Sequence, residues 1–224
     1  MTDIPDHAPP PDGLGPALAR LGRSAPPELV EALGPAIERG HHLALLAGEG
    51  AGLGILYAAV ALRDLEPAVE GVQALLLAPT PERSRRCAEA VEAICGPAGL
   101  HAFSWPPPAA AEGGPPPAAV VAGRPEEILV DVRAGTLALG EPRLVALDDV
   151  AALEESWAAV EAILAACGPE TRKVAASHAM TATFERLVER GMPRARRWPA
   201  ELWPVPGESG PPSRAASGGP LLRV

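Results

Sequence analysis

LALLAGEGAGLGILYAAVAL, residues 43–62, is the stretch on which the reading of the fold turns. Gly48, Gly50, Gly52 and Gly54 fall at every second position between two apolar runs, Leu43 to Leu46 and Ile55 to Leu62. That pattern reads as strand, glycine turn, helix. Glycine lets the backbone turn tightly, and the N–H groups opening a helix, helped by the helix dipole, form a place for an anion.

A Walker A loop, G-x-x-x-x-G-K-[ST], adds a lysine for the terminal phosphates and a hydroxyl for magnesium. The corresponding positions here are Leu53 and Gly54. Lys173 is the only lysine in the chain, and no arginine lies between Gly40 and Leu62. The stretch has the outline of a phosphate loop without its charge. If the outline is intact, Leu53→Lys with Gly54→Thr is expected to raise nucleotide affinity.

The window 43–62 also invites a membrane reading, since Glu49 is its one charged residue. Four glycines and a carboxylate argue against insertion, and strand–turn–helix accounts for their spacing. No membrane association is expected. The formal charge of −9 argues against a whole-molecule footprint for nucleic acid. Cys87, Cys95 and Cys167 lack metal or redox spacing and fall in apolar helical patterns, so reduced thiols and a cytoplasmic setting are expected. The N-terminus lacks the basic and apolar regions of a signal peptide.

Outward from the glycine stretch, short apolar runs alternate with helical patterns. Upstream, Leu29, Val30, Leu33 and Ile37 give a helix opened by Pro26-Pro27 and closed by Gly40. Downstream come strand Val72–Ala78, helix Glu82–Cys95, a short strand within His101–Trp105, a low-complexity loop Pro106–Pro117, and strand Ala118–Ala122 with a helix to Arg133. Strand Leu144–Leu147, helix Leu153–Ala166, strand Lys173–Ala176 and helix Thr181–Arg190 complete the series. Such alternation means a mostly parallel sheet with helices on both faces, whose ligands bind at the carboxyl ends of the strands. Those ends carry the glycine loop, Pro79-Thr80, Gly123-Arg124-Pro125, Asp148-Asp149 and Ser177-His178. Residues 1–25 read as a Pro/Gly-rich leader, 26–203 as one domain and 204–224 as a Pro/Gly/Ser-rich tail.

In this order the strand ends resemble the N-terminal RecA-like lobe of DEAD-box RNA helicases, a P-loop NTPase-like α/β fold. LLLAPTPERS resembles the family's LAPTREL segment, AVVAGRPEEILVDV its VGTPGRL segment and RLVALDDV its LVLDEAD segment. KVAASHAMT is similar to the strand ending in SAT, and PAIERGHHLALLAGEGAGLG to the stretch running into motif I. The resemblance spans roughly residues 26–200. It implies a nucleotide site at Gly48, Gly50, Gly52, Leu53 and Gly54, with ATP and Mg²⁺ as its ligands. It places a magnesium carboxylate at Asp148, a catalytic carboxylate at Asp149 and a coupling segment at Ser177 and His178.

The departures fall on the chemistry. Leu53 supplies neither charge nor hydrogen bond to a phosphate, Gly54 has no hydroxyl, and the adenine-reading glutamine falls near Val30. Asp149 is one methylene shorter than the glutamate it replaces. Pro81 takes an arginine position, and Glu126 and Glu127 take a glycine and an arginine, which opposes a phosphodiester backbone. ATP and Mg²⁺ affinity are therefore expected to be slight. With some 20 residues after Trp203, this chain alone is not expected to close a two-lobe cleft.

Simpler roles stand beside these. His41 and His42, adjacent on a strand, point to opposite faces and read as strand-end residues more readily than as metal ligands. His178 is either a base or a loop residue. Asp148 and Asp149 are either a retained metal or partner site or solvated helix-cap carboxylates. The C-terminal segment has five arginines from Arg194 onward, with Trp198 and Trp203 interleaved, and either stacks on bases or packs onto the domain. Thr80, Arg124, Arg194, Arg196 and Arg197 are the candidate contacts for nucleic acid or a partner.

The expected function is a degenerate helicase-like scaffold for a protein or RNA, not an active enzyme. Alternatives are a weak ATP-binding subunit whose second lobe comes from another chain, and an unrelated enzyme on a Rossmann-like sheet.

Overall fold

The computed structural model describes residues 27–47, 51, 53–107 and 118–199. The leader, the tail beyond 199, the low-complexity segment 108–117, and Gly48, Gly50 and Gly52 of the glycine loop lie outside the described residues.

Seven strands form one sheet: β1 Leu43–Leu46, β2 Val72–Leu77, β3 Ala102–Ser104, β4 Val120–Gly123, β5 Leu139–Asp148, β6 Arg172–Ser177 and β7 Arg196–Trp198. Their order is β3-β4-β2-β5-β6-β1-β7, and every pairing is parallel. The strands lie between helices α1 Pro27–Glu38, α2 Leu53–Asp64, α3 Pro81–Cys95, α4 Pro125–Ala134, α5 Trp157–Ala166 and α6 Ala182–Arg186. A π-helical turn, Leu187–Gly191, continues α6.

The period-2 geometry of the strands divides the core. Leu43, Leu45, Ala74, Leu76, Val120, Ala122, Leu144, Ala146, Val174 and Ala176 face one layer, packed against α1, α2 and α3. Their neighbours Ala44, Leu75, Leu77, Val121, Val145, Leu147 and Ala175 face the other, with Ile128, Val160, Ile163 and Phe184. Apolar side chains on both faces make these strands continuous hydrophobic runs, as a sheet buried on both sides requires. Both clusters need helices from different parts of the chain, so the layers close only when the sheet is assembled.

The sheet extends past the expected elements in two places. Strand β5 begins at Leu139, which pairs with Val72 ahead of a register shift, and its exposed residues Gly140, Glu141 and Arg143 break the apolar pattern at the sheet's amino end. Strand β7 pairs with β1, Leu43 opposite Arg196 and Leu45 opposite Trp198, and Trp198 packs against the α1–α3 layer. Trp203 lies outside the described residues.

At the amino ends of the strands, buried Arg172 donates to the carbonyl of His41 at 2.8 Å, that of Ala36 at 3.3 Å and Asp64 Oδ2 at 2.9 Å. It thus adds a second donor to the Ala36 carbonyl at the end of α1, which also accepts the His41 N–H at 3.0 Å, while pairing with the last residue of α2. No described helix is long and apolar enough to cross a membrane.

Candidate functional site

The carboxyl end of β5 carries Asp148 and Asp149, and three other elements converge there. Helix α3 starts next to it. Thr80 caps that helix, its Oγ1 accepting from the Arg83 N–H at 3.2 Å, and Pro81 fixes the first turn. This capped turn aims the Arg83 side chain back over the sheet. Its Nε donates to Asp148 Oδ2 at 2.8 Å and its Nη1 to Asp149 Oδ2 at 3.1 Å.

From beneath, Tyr57 of α2 donates its hydroxyl to Asp148 Oδ1 at 3.0 Å. From β6, the His178 N–H donates to Asp149 Oδ1 at 3.2 Å, and the His178 Nδ1 lies 2.8 Å and 2.9 Å from the two Asp149 oxygens. Asp149 adopts φ 77°, a left-handed conformation that aspartate tolerates, and this turns its carboxylate toward β6. Ser177 is buried; its Oγ donates to the Ala179 carbonyl at 2.6 Å and accepts from the Ala151 N–H at 3.2 Å.

Every oxygen of the two carboxylates therefore has a partner in the protein. Side-chain exposures of 5% for Asp148, 7% for Asp149 and 16% for Arg83 put the ion pairs in a poorly hydrated place. Solvated helix caps, one of the two roles weighed for Asp148 and Asp149, do not describe this: the groups are buried and paired. Burial alone raises a carboxyl pKa, but hydrogen bonds from His178 and Arg83 outweigh it and hold Asp149 below its usual range. Burial and then the Asp148 charge push the Tyr57 hydroxyl well above its usual value and raise the Cys87 thiol. For Arg83, burial opposes the charge and the two aspartates more than offset it.

The first turn of α2 is equally filled. Leu53 is buried in the α1–α3 layer, and a Cβ on Gly54 would lie 2.8 Å from the Ala90 Cβ of α3. Gly54 is thus a close helix–helix contact as well as a position without a hydroxyl. Gly54→Thr therefore requires a shift of α3, so the paired Leu53→Lys and Gly54→Thr replacement perturbs this helix contact as well as the loop.

Do these residues fit magnesium and a nucleotide? Among the described residues no three His, Cys, Asp or Glu side chains are grouped to hold a metal ion. Asp148 and Asp149 are engaged by an arginine, a tyrosine and a histidine, and Leu53 offers the phosphates nothing. They do not fit the group.

The remaining sequence candidates divide by position. Thr80, Arg124, Ser177 and His178 sit at the carboxyl end of the sheet with the aspartates. Arg124, whose partners are Glu127 at 3.3 Å and Glu126 at 3.8 Å, is largely cancelled there. Arg196 is paired in register with the first residue of β1, so Arg194 and Arg196 lie toward the opposite end, and Arg197 beside them. Five candidate contacts do not form one surface. His178 is 53% exposed, and its ring bonds run to Asp149. His42 instead accepts the Lys173 N–H at its Nδ1, 3.0 Å away, a structural bond between β1 and β6.

Arg83 and Tyr57 were not singled out from the sequence. A usable signal existed for Arg83: in PTPERS the arginine position of the resembling segment is proline, and an arginine stands two residues on, three after the N-cap.

No family model matches the chain, and no curated protein matches it in sequence. Solved structures do. The chain is similar to Saccharomyces cerevisiae Dbp5 in complex with Gle1 and IP6, with a TM-score of 0.71, 17% identity, and coverage of 82% of this chain and 49% of that one. A DEAD box protein from Methanococcus jannaschii gives 0.67, 19%, 88% and 54%. The RNA helicase Prp28 from Chaetomium thermophilum, bound to ADP, gives 0.65, 17%, 88% and 50%. The chain spans about half the length of these helicase chains. The likeness establishes the fold: an all-parallel RecA-like sheet with helices on both faces, as in one lobe of a DEAD-box helicase.

Proposed function

We propose that this chain is a helicase-like lobe that does not hydrolyse ATP and serves as a binding scaffold. The observation that carries the reading is the state of Asp148 and Asp149, whose oxygens are all taken by Arg83, Tyr57 and His178. A carboxylate so engaged cannot also orient a metal-bound water or an attacking water without losing those partners. Leu53 and the closed contact at Gly54 point the same way.

A protein partner is favoured over RNA. The formal charge is −9, and Glu126 and Glu127 stand at the strand end where the resemblance places an RNA-facing arginine. Dbp5 has been solved with Gle1 and with Nup159, and also with RNA. The domain is taken as residues 26–203. The free thiols of Cys87, Cys95 and Cys167 suit a cytoplasmic setting.

The test is ATP turnover by the purified chain, with and without single-stranded RNA, alongside capture of partners from lysate with and without nuclease. No turnover and nuclease-resistant partners are expected. Turnover that disappears in Asp148→Ala overturns the proposal. The reading as an ATP-binding subunit completed by a second chain would be favoured by calorimetric heat on titrating nucleotide.

A further inference from the structure

We infer that Arg83 is a built-in counter-ion, a guanidinium fixed by the fold in the place where a divalent cation would otherwise neutralise Asp148 and Asp149. The inference deepens the reading of the site as non-hydrolysing, and says what has replaced the metal.

Two neighbouring buried carboxylates repel each other and are poorly solvated, so the folded chain needs a positive charge beside them. A P-loop-like site left without a cation has three ways to meet that need: protonate a carboxylate, replace one, or supply the charge from the chain. Each oxygen of the two carboxylates accepts a hydrogen bond from Arg83, Tyr57 or the His178 N–H, which argues against the first. Both aspartates remain, which excludes the second. Arg83 is the third, with one guanidinium nitrogen on each carboxylate, at 2.8 Å and 3.1 Å.

The placement does not depend on a mobile side chain finding its partner. Arg83 leaves the first turn of α3, whose start is set by the Thr80 cap and Pro81, and Ser84 Oγ fastens the same turn to the Thr80 carbonyl at 3.0 Å. The planar guanidinium is suited to span two acceptors, which an ammonium is not. The Tyr57 hydroxyl and the His178 N–H supply the remaining donors to the two carboxylates. The helix that carries Arg83 also supplies Ala90, which closes on Gly54. One helix thus fills both the charge position and the space of the missing hydroxyl.

The experiment uses the full chain. Binding of Mn²⁺ is followed by electron paramagnetic resonance, and the melting temperature is measured with and without millimolar Mg²⁺. Wild type is expected to show no Asp148-dependent Mn²⁺ binding and no melting shift. Arg83→Met is expected to melt about 10 °C lower and to recover part of that loss in Mg²⁺ or Mn²⁺. The recovery is expected to vanish when Asp148→Asn and Asp149→Asn are added.

Asp148-dependent Mn²⁺ binding by wild type overturns the inference. So does a folded Arg83→Met variant that is as stable as wild type, or that no divalent cation rescues. If Arg83→Met does not fold, Arg83→Lys and the wild-type Mn²⁺ measurement decide: a lysine variant that is destabilised yet folded supports the need for the two-pronged group, and one equal to wild type overturns it. ATP turnover would sink the scaffold reading, whereas wild-type Mn²⁺ binding without turnover would sink only this one.

Discussion

His42 stands just ahead of β1 with its Nδ1 taking the Lys173 N–H, and burial, then the charges of Lys173 and Arg172, lower its pKa to about 4. An unfolded histidine titrates near 6.5. Between these values the unfolded chain binds a proton that the native chain refuses, so stability falls as pH drops from about 6.5 through about 4. Urea midpoints taken across that window should show the fall, and His42→Gln should flatten it. Asp149 acts in the same direction at lower pH: its depressed pKa gives stability above the unfolded carboxyl value that is lost as pH falls through the folded one. Of the site residues, Asp148, Asp149, Ser177 and His178 were legible because they end apolar runs, and a parallel sheet presents run ends together. Arg83 and Tyr57 were not, since each reads locally as an ordinary helix residue. Their partner Asp148 is 65 and 91 positions away, a separation that no periodicity encodes.

At the scale of elements, α2 and α3 are pressed together where Gly54 meets Ala90 and, further along, where Cys95 Sγ approaches the Ala58 carbonyl at 3.4 Å. Gly54→Ala gains helix propensity of about 1 kcal/mol but overpacks this contact by about 1–3 kcal/mol, for a net destabilisation of about 0–2 kcal/mol. Chemical denaturation would measure it, and adding Ala90→Gly should cost less than the two single changes summed, because the smaller residue reopens the space. A glycine in a phosphate-loop pattern is easily assigned to the ligand. Here the neighbouring helix accounts for it, and only the packed structure shows that. The alternation of short apolar runs and helices predicted six strands and their helices correctly in kind. It missed β7, whose sequence Arg196-Arg197-Trp198 has neither length nor apolar pattern and becomes a strand by pairing with β1.

For the whole molecule, layers contributed by distant segments are tied at one end of the sheet by Arg172 and at the other by Arg83. Arg172→Met would leave Asp64 buried with Arg63 as its remaining ion-pair partner and take the Arg172 donor from the His41 carbonyl, while the Ala36 carbonyl would keep the His41 N–H. The expected cost is about 3 kcal/mol, at the lower end for breaking a buried pair, read as a drop in the denaturant midpoint. The parallel α/β architecture was legible from the order of the runs, because a strand that is apolar on both faces must be covered twice. The internal neutralisation of its site was not, because charge pairing across the sheet is a property of the assembled chain. Tyr57, the only tyrosine in the sequence, lies at that pairing with its hydroxyl on Asp148. Burial and the Asp148 charge hold its phenol well above its usual range in the fold, and it returns to the usual alkaline range once the chain opens. The protein therefore carries its own optical probe: the absorbance change on ionisation of its one tyrosine, which the four tryptophans do not share, follows the opening of this one site with no label attached.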